Sequence, residues 1–541
     1  MTAPRTNRDG GKPHGGTVLA VDLGTSGCKA ALVTLAGDVL AWAFHPVPLY
    51  VEGVSAEQDP ADWWNAFLES ASEVLSQAPE PRHNVLAVCC STQGEGTVAV
   101  DEAGMPLGRA LLWLDMRGAD SIARRVGGRL FNIEGYGPAK LWKWLRLTGG
   151  VPALSGKDSA GHIAFLQDYD PARYERTYKF LNVLDYMNLK LTGRFCSTYD
   201  SILTTWVTDN RDPDKITYNR GLIHTLGISE EKFPELVRCT EVLGHLLPEV
   251  AEKLGLPGST RVVAGAIDNT AVAIGAGAVS DFEPHVYLGT SAWVGAHVPF
   301  KKTDVRNKIA SVPCAVPQRY LATAIQSAGG VNLSFLRDRI LFHNDALMRD
   351  EQRPDVYRIF DHIAEGVPAG ARGLMYMPWL FGERSPIEES TLRAGLFNLS
   401  LEHSREDVIR AFLEGVALNL RWMLEPFLRF LGRTPELITA VGGGAQSDVW
   451  CQIIADITGI QVRQPEAAIQ ANALGAAFIA GVGIGEITFA DVAAFRRTRR
   501  TYDPNPAHRQ QYDQAFVNFQ ELYRRLAPMY RRINKDGRTP R

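Results

Sequence analysis

The sequence predicts two α/β domains, each a mixed sheet covered by helices, and three observations carry that expectation. The chain has 541 residues, more than one ordinary hydrophobic core organises. Apolar strand segments alternate with amphipathic helical segments along most of it. The tetrapeptide Leu23-Gly24-Thr25-Ser26 recurs as Leu288-Gly289-Thr290-Ser291, each copy between two apolar strands. Matched residues at matched places in two hairpins, about half a chain apart, point to duplication. They put a boundary near residue 280, with one domain over 17–279 and the other over 280–530. Residues 1–16 and 531–541 have the polar composition of disordered ends.

The elements follow in order. Val18 to Asp22 is a buried strand, Gly24-Thr25-Ser26-Gly27 a turn, and Lys29 to Leu35 a second strand. Gly37-Asp38 turns the chain into a third, Val39 to His45, which completes a β-meander. Asp59-Pro60 opens a helix with Trp63, Trp64, Phe67, Ala71 and Val74 on its apolar side. Val85 to Cys90 is another apolar strand. In Val262 to Asn269 an apolar strand breaks at Asp268, and a helix over Thr270 to Ala278 makes Asp268 its N-cap. The second copy of the turn lies between strands His285 to Leu288 and Ala292 to Val298. Ile438 to Gly444 is a third strand running into a glycine turn, with a helix from about Ser447.

Composition narrows the classes of function. A formal net charge of −3 gives no reason to expect a nucleic acid or a membrane surface as partner. The basic stretch Arg496 to Arg500 reads as a solvated face. Seven scattered cysteines without a C-x-x-C fit neither a disulfide framework nor a zinc site, and suit a reducing cytoplasm. The polar start lacks a signal-peptide core, and no apolar run approaches bilayer-spanning length.

The three glycine turns suit an anion. Glycine admits close backbone approach, and N–H groups with the hydroxyls of Thr25, Ser26 and Thr290 can cradle phosphate. Two such turns, one per domain, can grip a triphosphate from opposite sides, with Lys29 as a point charge. Gly442-Gly443-Gly444-Ala445 precedes a helix and suits a further anion or an adenosine group. Two other nucleotide signatures fail. Gly150 to Lys157 has five residues between its glycines and Asp158 in place of Ser or Thr, and Gly275-Ala276-Gly277 lacks a third glycine.

The carboxylates supply the remaining chemistry. Asp22 ends a buried strand beside the first turn, where a carboxylate is costly unless bonded or holding Mg²⁺ through water. For Asp268 the residues alone leave a structural cap and a chemical role equally open. Asp115, in Trp113 to Arg117, and Glu95, in Gln93-Gly94-Glu95-Gly96, lie in loops after apolar strands, where they could bond sugar hydroxyls or only their own turns.

This ordered set resembles the FGGY carbohydrate kinases. It comprises Asp22 to Gly27, Trp113 to Arg117, Gly265-Ala266-Ile267-Asp268, Gly289-Thr290-Ser291, Gly382-Glu383-Arg384-Ser385-Pro386 and Gly442 to Ala445. Asp407 to Gly415 and Ala473 to Ala477 are similar to the family's C-terminal helices, and the likeness covers about residues 17 to 530. It implies two actin-like (ribonuclease-H-like) domains flanking a cleft that takes ATP and Mg²⁺. By this likeness Asp268 is the general base, Asn269 a substrate neighbour and Asp22 near the metal. Gln93, Glu95 and Asp115 take substrate positions. Gly24, Thr25, Ser26, Lys29, Gly289, Thr290, Gly330, Gly443, Gly444 and Ala445 take ATP positions.

The family's substrate loops vary. Xylulokinases usually carry Gln-Met-His-Gly where this chain has Gln93 to Gly96, glycerol kinases have Arg-Glu there, and erythritol kinases have Gln-Gly-Asp-Gly. The N-terminal signature is imperfect around Gly137 to Leu141, with Lys143 where Trp is common, and Leu396 to Leu399 is one residue short. The expectation is a kinase acting on a primary hydroxyl of a small sugar, a ketopentose such as xylulose first. Polyol kinases and an actin-like sugar sensor without kinase activity are the alternatives. A homodimer is compatible with the resemblance.

Overall fold

The computed structural model describes residues 15–78, 84–341 and 356–534. Most of the two terminal segments expected to be disordered lies outside these. Strands Thr17–Gly24 (β1), Gly27–Thr34 (β2) and Val39–Pro46 (β3) form the meander, with ends within two residues of those predicted. Helix Pro60–Gln77 (α1) starts as its sequence signals, with the Asp59 carboxylate accepting from Ala61 N–H and Pro60 in the first turn. Strand Val85–Thr92 (β4), helix Ser159–Tyr169 (α2), strands Val242–His245 (β5) and Arg261–Ile267 (β6), and helix Asp268–Gly275 (α3) follow. The first sheet runs β5-β6-β4-β1-β2-β3, with β4 parallel to both β1 and β6.

The second sheet repeats this plan. Strands His285–Leu288 (β7) and Ala292–Val298 (β8) have the predicted bounds. Thr303–Asp304 (β9), Ile309–Pro313 (β10) and Tyr320–Gln326 (β11) follow, then helix Arg405–Leu431 (α4), strand Leu437–Val441 (β12) and helix Asp448–Thr458 (α5). Strand Gln461–Pro465 (β13), helix Ala471–Gly483 (α6), strand Thr498–Tyr502 (β14) and helix Arg509–Ile533 (α7) complete it. Helix α7 thus carries order through residues 531–533, which the sequence assigned to a tail. The order is β9-β10-β11-β8-β7-β12-β13-β14, with β12 parallel to β7 and β13. In each sheet an antiparallel meander passes into two parallel strands, β3-β2-β1-β4-β6 in one and β11-β8-β7-β12-β13 in the other.

The packing of the first sheet crosses between the two halves. On β1, Leu19, Val21 and Leu23 face α1, against Trp63 and Phe67, while Val18 and Ala20 face α6, against Ala473 and Ile479. One cover of the N-terminal sheet therefore comes from late in the chain. Helices α3 and α6 also meet backbone to backbone. A Cβ on Gly275 would lie 1.7 Å from the Ala471 carbonyl oxygen, and one on Gly475 only 1.9 Å from that of Ala271. Only glycine permits this crossing, which brings the starts of α3 and α6 to the end of β1.

The basic stretch is paired: Arg496 with Glu283, Arg497 with Asp38, Arg499 and Arg500 with Asp448. No described helix is long and apolar enough to cross a membrane.

Candidate active site

Asp22 and Lys29 face each other across the β1–β2 register, and Lys29 Nζ lies 3.0 Å from Asp22 Oδ2. That carboxylate holds the Lys29 ammonium above the usual lysine range. Asn472, at the start of α6, donates to Asp22 Oδ1 at 3.4 Å. The neighbouring turn is fixed by a network of side chains. The Thr25 hydroxyl donates to Gln93 Oε1 at 2.7 Å and accepts from Trp113 Nε1 at 3.0 Å. Gln93 Nε2 donates to Gln58 Oε1 at 2.9 Å, and Gln58 Nε2 donates to the Thr25 carbonyl at 2.8 Å. The Thr25 hydroxyl and the Gln93 amide are thus engaged in shaping the turn. Ser26 is exposed at the tip, and beside Gly24 the nearest atom to a Cβ position is 3.9 Å away.

Across the cleft, the turn after β7 is braced by the segment after β11. Gly330 N–H donates to the Gly289 carbonyl at 2.6 Å, and Gly329 N–H to that of Thr290 at 2.9 Å. The Thr290 side chain is exposed. Because β12 pairs with β7, the glycine turn after β12 lies beside this one. Gly443 borders open space, Gly444 packs on Trp450 and Leu288, and Ala445 is buried with its carbonyl accepting from Gln464 Nε2 at 2.7 Å.

Asp268 differs from its predicted local role. Helix α3 begins at Asp268 itself, Ile267 occupies the cap position, and among the described residues Asp268 Oδ1 accepts only the adjacent Asn269 N–H, at 2.8 Å. Its carboxyl is pushed up to about 7, first by burial and then by Asp22, with Glu95 and Asp200 adding and the Asn269 N–H opposing. Asn269 Oδ1 accepts from the Thr270 hydroxyl.

Glu95 sits in the left-handed region, φ 52°, a strained conformation for a side chain of this size. Burial raises its carboxyl while Arg384 and Lys157 oppose. Lys157 is held below the usual range by burial and then by Arg384. Among the described residues these three side chains have no hydrogen-bond or ion-pair partner, so each is left to water or a ligand. Asp115 is the opposite case. It is fully buried, accepts from the backbone N–H groups of Ala56 and Arg117 at 3.0 Å each, and takes the Arg117 guanidinium at 2.7 Å. No free face remains for a sugar.

No described cluster of three His, Cys, Asp or Glu side chains could hold a metal by itself. The donors near Asp22 fit Mg²⁺ nonetheless. They are hard oxygens, Asn472 Oδ1 is buried there without a partner, and Mg²⁺ characteristically takes one or two carboxylates with water and phosphate. Four residues of the site escaped sequence reasoning. Arg384 lay inside a quoted motif and Asn472 immediately before one. Lys157 lay in the rejected P-loop-like stretch, and Tyr287 one residue before the repeated turn.

Comparison with known proteins gives a consistent picture. The model of the N-terminal domain of the FGGY family of carbohydrate kinases matches residues 17–275, and that of the C-terminal domain residues 285–484. A xylulose kinase of Bacillus subtilis is 28% identical over 522 residues, 94% of this chain and 96% of that protein. A gluconokinase of the same organism is 26% identical over 478 residues, 88% and 89% of the two chains. The crystal structure of xylulose kinase from Rhodospirillum rubrum superposes with a TM-score of 0.79 at 27% identity, covering 95% of this chain and 99% of that one.

Proposed function

Because the chain belongs to the FGGY family of carbohydrate kinases, and is therefore a phosphotransferase with an alcohol acceptor, we propose that it transfers the γ-phosphoryl group of ATP to a primary hydroxyl of a small sugar, a ketopentose such as xylulose first. One observation carries this reading: Asp268 stands at the start of α3, near enough to Asp22 for that charge, with burial, to push its carboxyl up to about 7. A general base works best with a pKa near the operating pH.

In this mechanism Asp268 accepts the proton of the acceptor hydroxyl as the hydroxyl oxygen attacks the γ-phosphorus, and the bond from that phosphorus to the β–γ bridging oxygen breaks, releasing ADP. Lys29 and the N–H groups of the turns at 25–26 and 290–291 offset charge on the phosphates, so catalysis is chiefly positioning and electrostatics. Asp22, with Asn472 beside it, would hold Mg²⁺, which supplies charge neutralisation on the phosphates when bound. The α3–α6 crossing keeps Asp268 and Asn472 in register with Asp22. Glu95 accepts hydroxyl donors, while Lys157 and Arg384 donate beside it, and a ketose offers both hydroxyls and a carbonyl oxygen. The several xylulose kinases among its relatives support the same substrate.

The cation pair also favours a second reading, a sugar acid, as the gluconokinase relatives suggest. The test is ADP release coupled to detection of sugar phosphate, across D-xylulose, other ketopentoses, ketohexoses, gluconate, erythritol and glycerol. Xylulose is expected to give the highest kcat/KM, and Glu95→Gln to raise its KM about tenfold or more. Nucleotide binding without any sugar phosphate formed would refute the kinase reading in favour of a sensor.

A further inference from the structure

Tyr287 is the last residue but one of β7, directly before the second glycine turn. Its cross-strand partner on β8 is Trp293, and the two rings stack with centroids 3.9 Å apart and planes 17° from parallel. The stack fixes the phenol. On one side, a Cβ built on Gly289 would lie 2.2 Å from the Tyr287 ring and 2.8 Å from its hydroxyl oxygen. On the other, a Cβ on Gly442 would lie 3.1 Å from the ring. The ring therefore fills the notch between the two glycine turns of the C-terminal half and leaves no room for a side chain at Gly289, while at Gly442 the Leu288 carbonyl and a φ of 94° do the same. No sequence motif singled this tyrosine out.

Its hydroxyl has no hydrogen-bond partner among the described residues. The charged groups that act on it belong to the other side of the cleft: Asp22, Lys29 and, more weakly, Asp268. A phenol placed there is a donor in search of an acceptor. Asp22 is bonded to Lys29 and Asn472 and takes no bond from this hydroxyl, which leaves the acceptor to come from outside the protein. Burial and the Asp22 charge keep the phenol protonated, so it remains a donor throughout the physiological pH range.

We propose that the Tyr287 hydroxyl is a phosphate-binding group of the nucleotide site, donating a hydrogen bond to the terminal phosphate of ATP across the cleft from Lys29. Lying between a turn that reaches the phosphates and the base that serves the acceptor, it touches the group being transferred. This rests on the ATP-dependent reading above, and the test separates the two. Tyr287→Phe keeps the ring, the Trp293 stack and the glycine contacts, and removes only the donor. Calorimetric titration with ADP and with a non-hydrolysable ATP analogue is compared in wild type and variant, beside kcat for the best acceptor.

The expected result is a roughly tenfold loss of analogue affinity, ADP affinity within about twofold of wild type, an unchanged melting temperature and at least a tenfold lower kcat. An unchanged ratio of analogue to ADP affinity overturns the proposal. So does a parallel loss of both affinities with a fall in melting temperature, which would make Tyr287 a packing residue only. If wild type binds both nucleotides yet phosphorylates no acceptor, the kinase reading falls, while a lowered affinity ratio still supports Tyr287 as a phosphate contact.

Discussion

Replacing Asp268 by Asn separates chemistry at this position from its cost to the fold. Burial, Asp22, Glu95 and Asp200 lift the carboxyl from its ordinary 3.8 to about 7. In kcat/KM, wild type should therefore lose about tenfold for each pH step below 7, because only about a tenth of the carboxyl is ionised at pH 6. The Asn variant should lose ~10²–10⁴-fold at pH 8 and show no such slope. Stability should move the other way. A raised pKa means that the folded protein holds this proton more tightly than the unfolded chain does. The contribution is fully present below about pH 4 and is lost as pH rises through 7. Above pH 7 the buried charge costs at most roughly 4 kcal/mol, at 1.36 kcal/mol per pH step. Asn stays neutral, so the variant should melt higher than wild type at pH 8, and the gain should shrink toward pH 4. The assays are the coupled ADP measurement from pH 6 to 8 and thermal melts at pH 4.5 and 8. A variant with near-wild-type kcat/KM would refute the base assignment. A stability gain independent of pH would refute the account of its electrostatics.

Other perturbations test other links. Asp115→Ala leaves the Ala56 and Arg117 backbone N–H groups without their acceptor, at about 1–3 kcal/mol each, and leaves the Arg117 guanidinium with Glu57 alone. The expected outcome is a large fall in melting temperature with sugar KM unchanged in the protein that folds. A shift in sugar KM at full stability would show that Asp115 reads the substrate after all. Asp22→Ala should move the Mg²⁺ dependence of kcat to higher concentration, and a titration superimposing on wild type would remove Asp22 from the metal site. Gly475→Ala would stabilise an open helix by about 1 kcal/mol. Here the added Cβ meets the Ala271 carbonyl at 1.9 Å, so both melting temperature and kcat should fall. A more stable, fully active Gly475→Ala would show that the two helices do not touch.

Much of the fold is legible because it is local. The repeated Leu-Gly-Thr-Ser turn needs only its flanking apolar strands to be seen, and the meander and the Asp59-Pro60 helix start follow from period and punctuation. The sequence also marks Asp268 as a polar break after an apolar strand. It does not fix which backbone N–H the side chain meets, because the cap geometry depends on where β6 ends. Gln93, Asp115 and Glu95 are alike in sequence, each a polar residue in a loop after a strand. Gln93 closes on Thr25 and Gln58, Asp115 on Arg117 and Ala56, and Glu95 alone is left open. The sequence by itself determined the two-sheet plan and the glycine turns, and marked Asp268 as a polar break without deciding its role. Only the tertiary structure decided that α6 covers the N-terminal sheet, that Lys157 and Arg384 lie near enough to Glu95 to act on its charge, and that Tyr287 comes under the charges of Asp22 and Lys29. The physical reason is range. Hydrophobic periodicity and turn preference act between near neighbours in sequence, whereas hydrogen bonds and charge pairs depend on a few ångströms set by long-range docking.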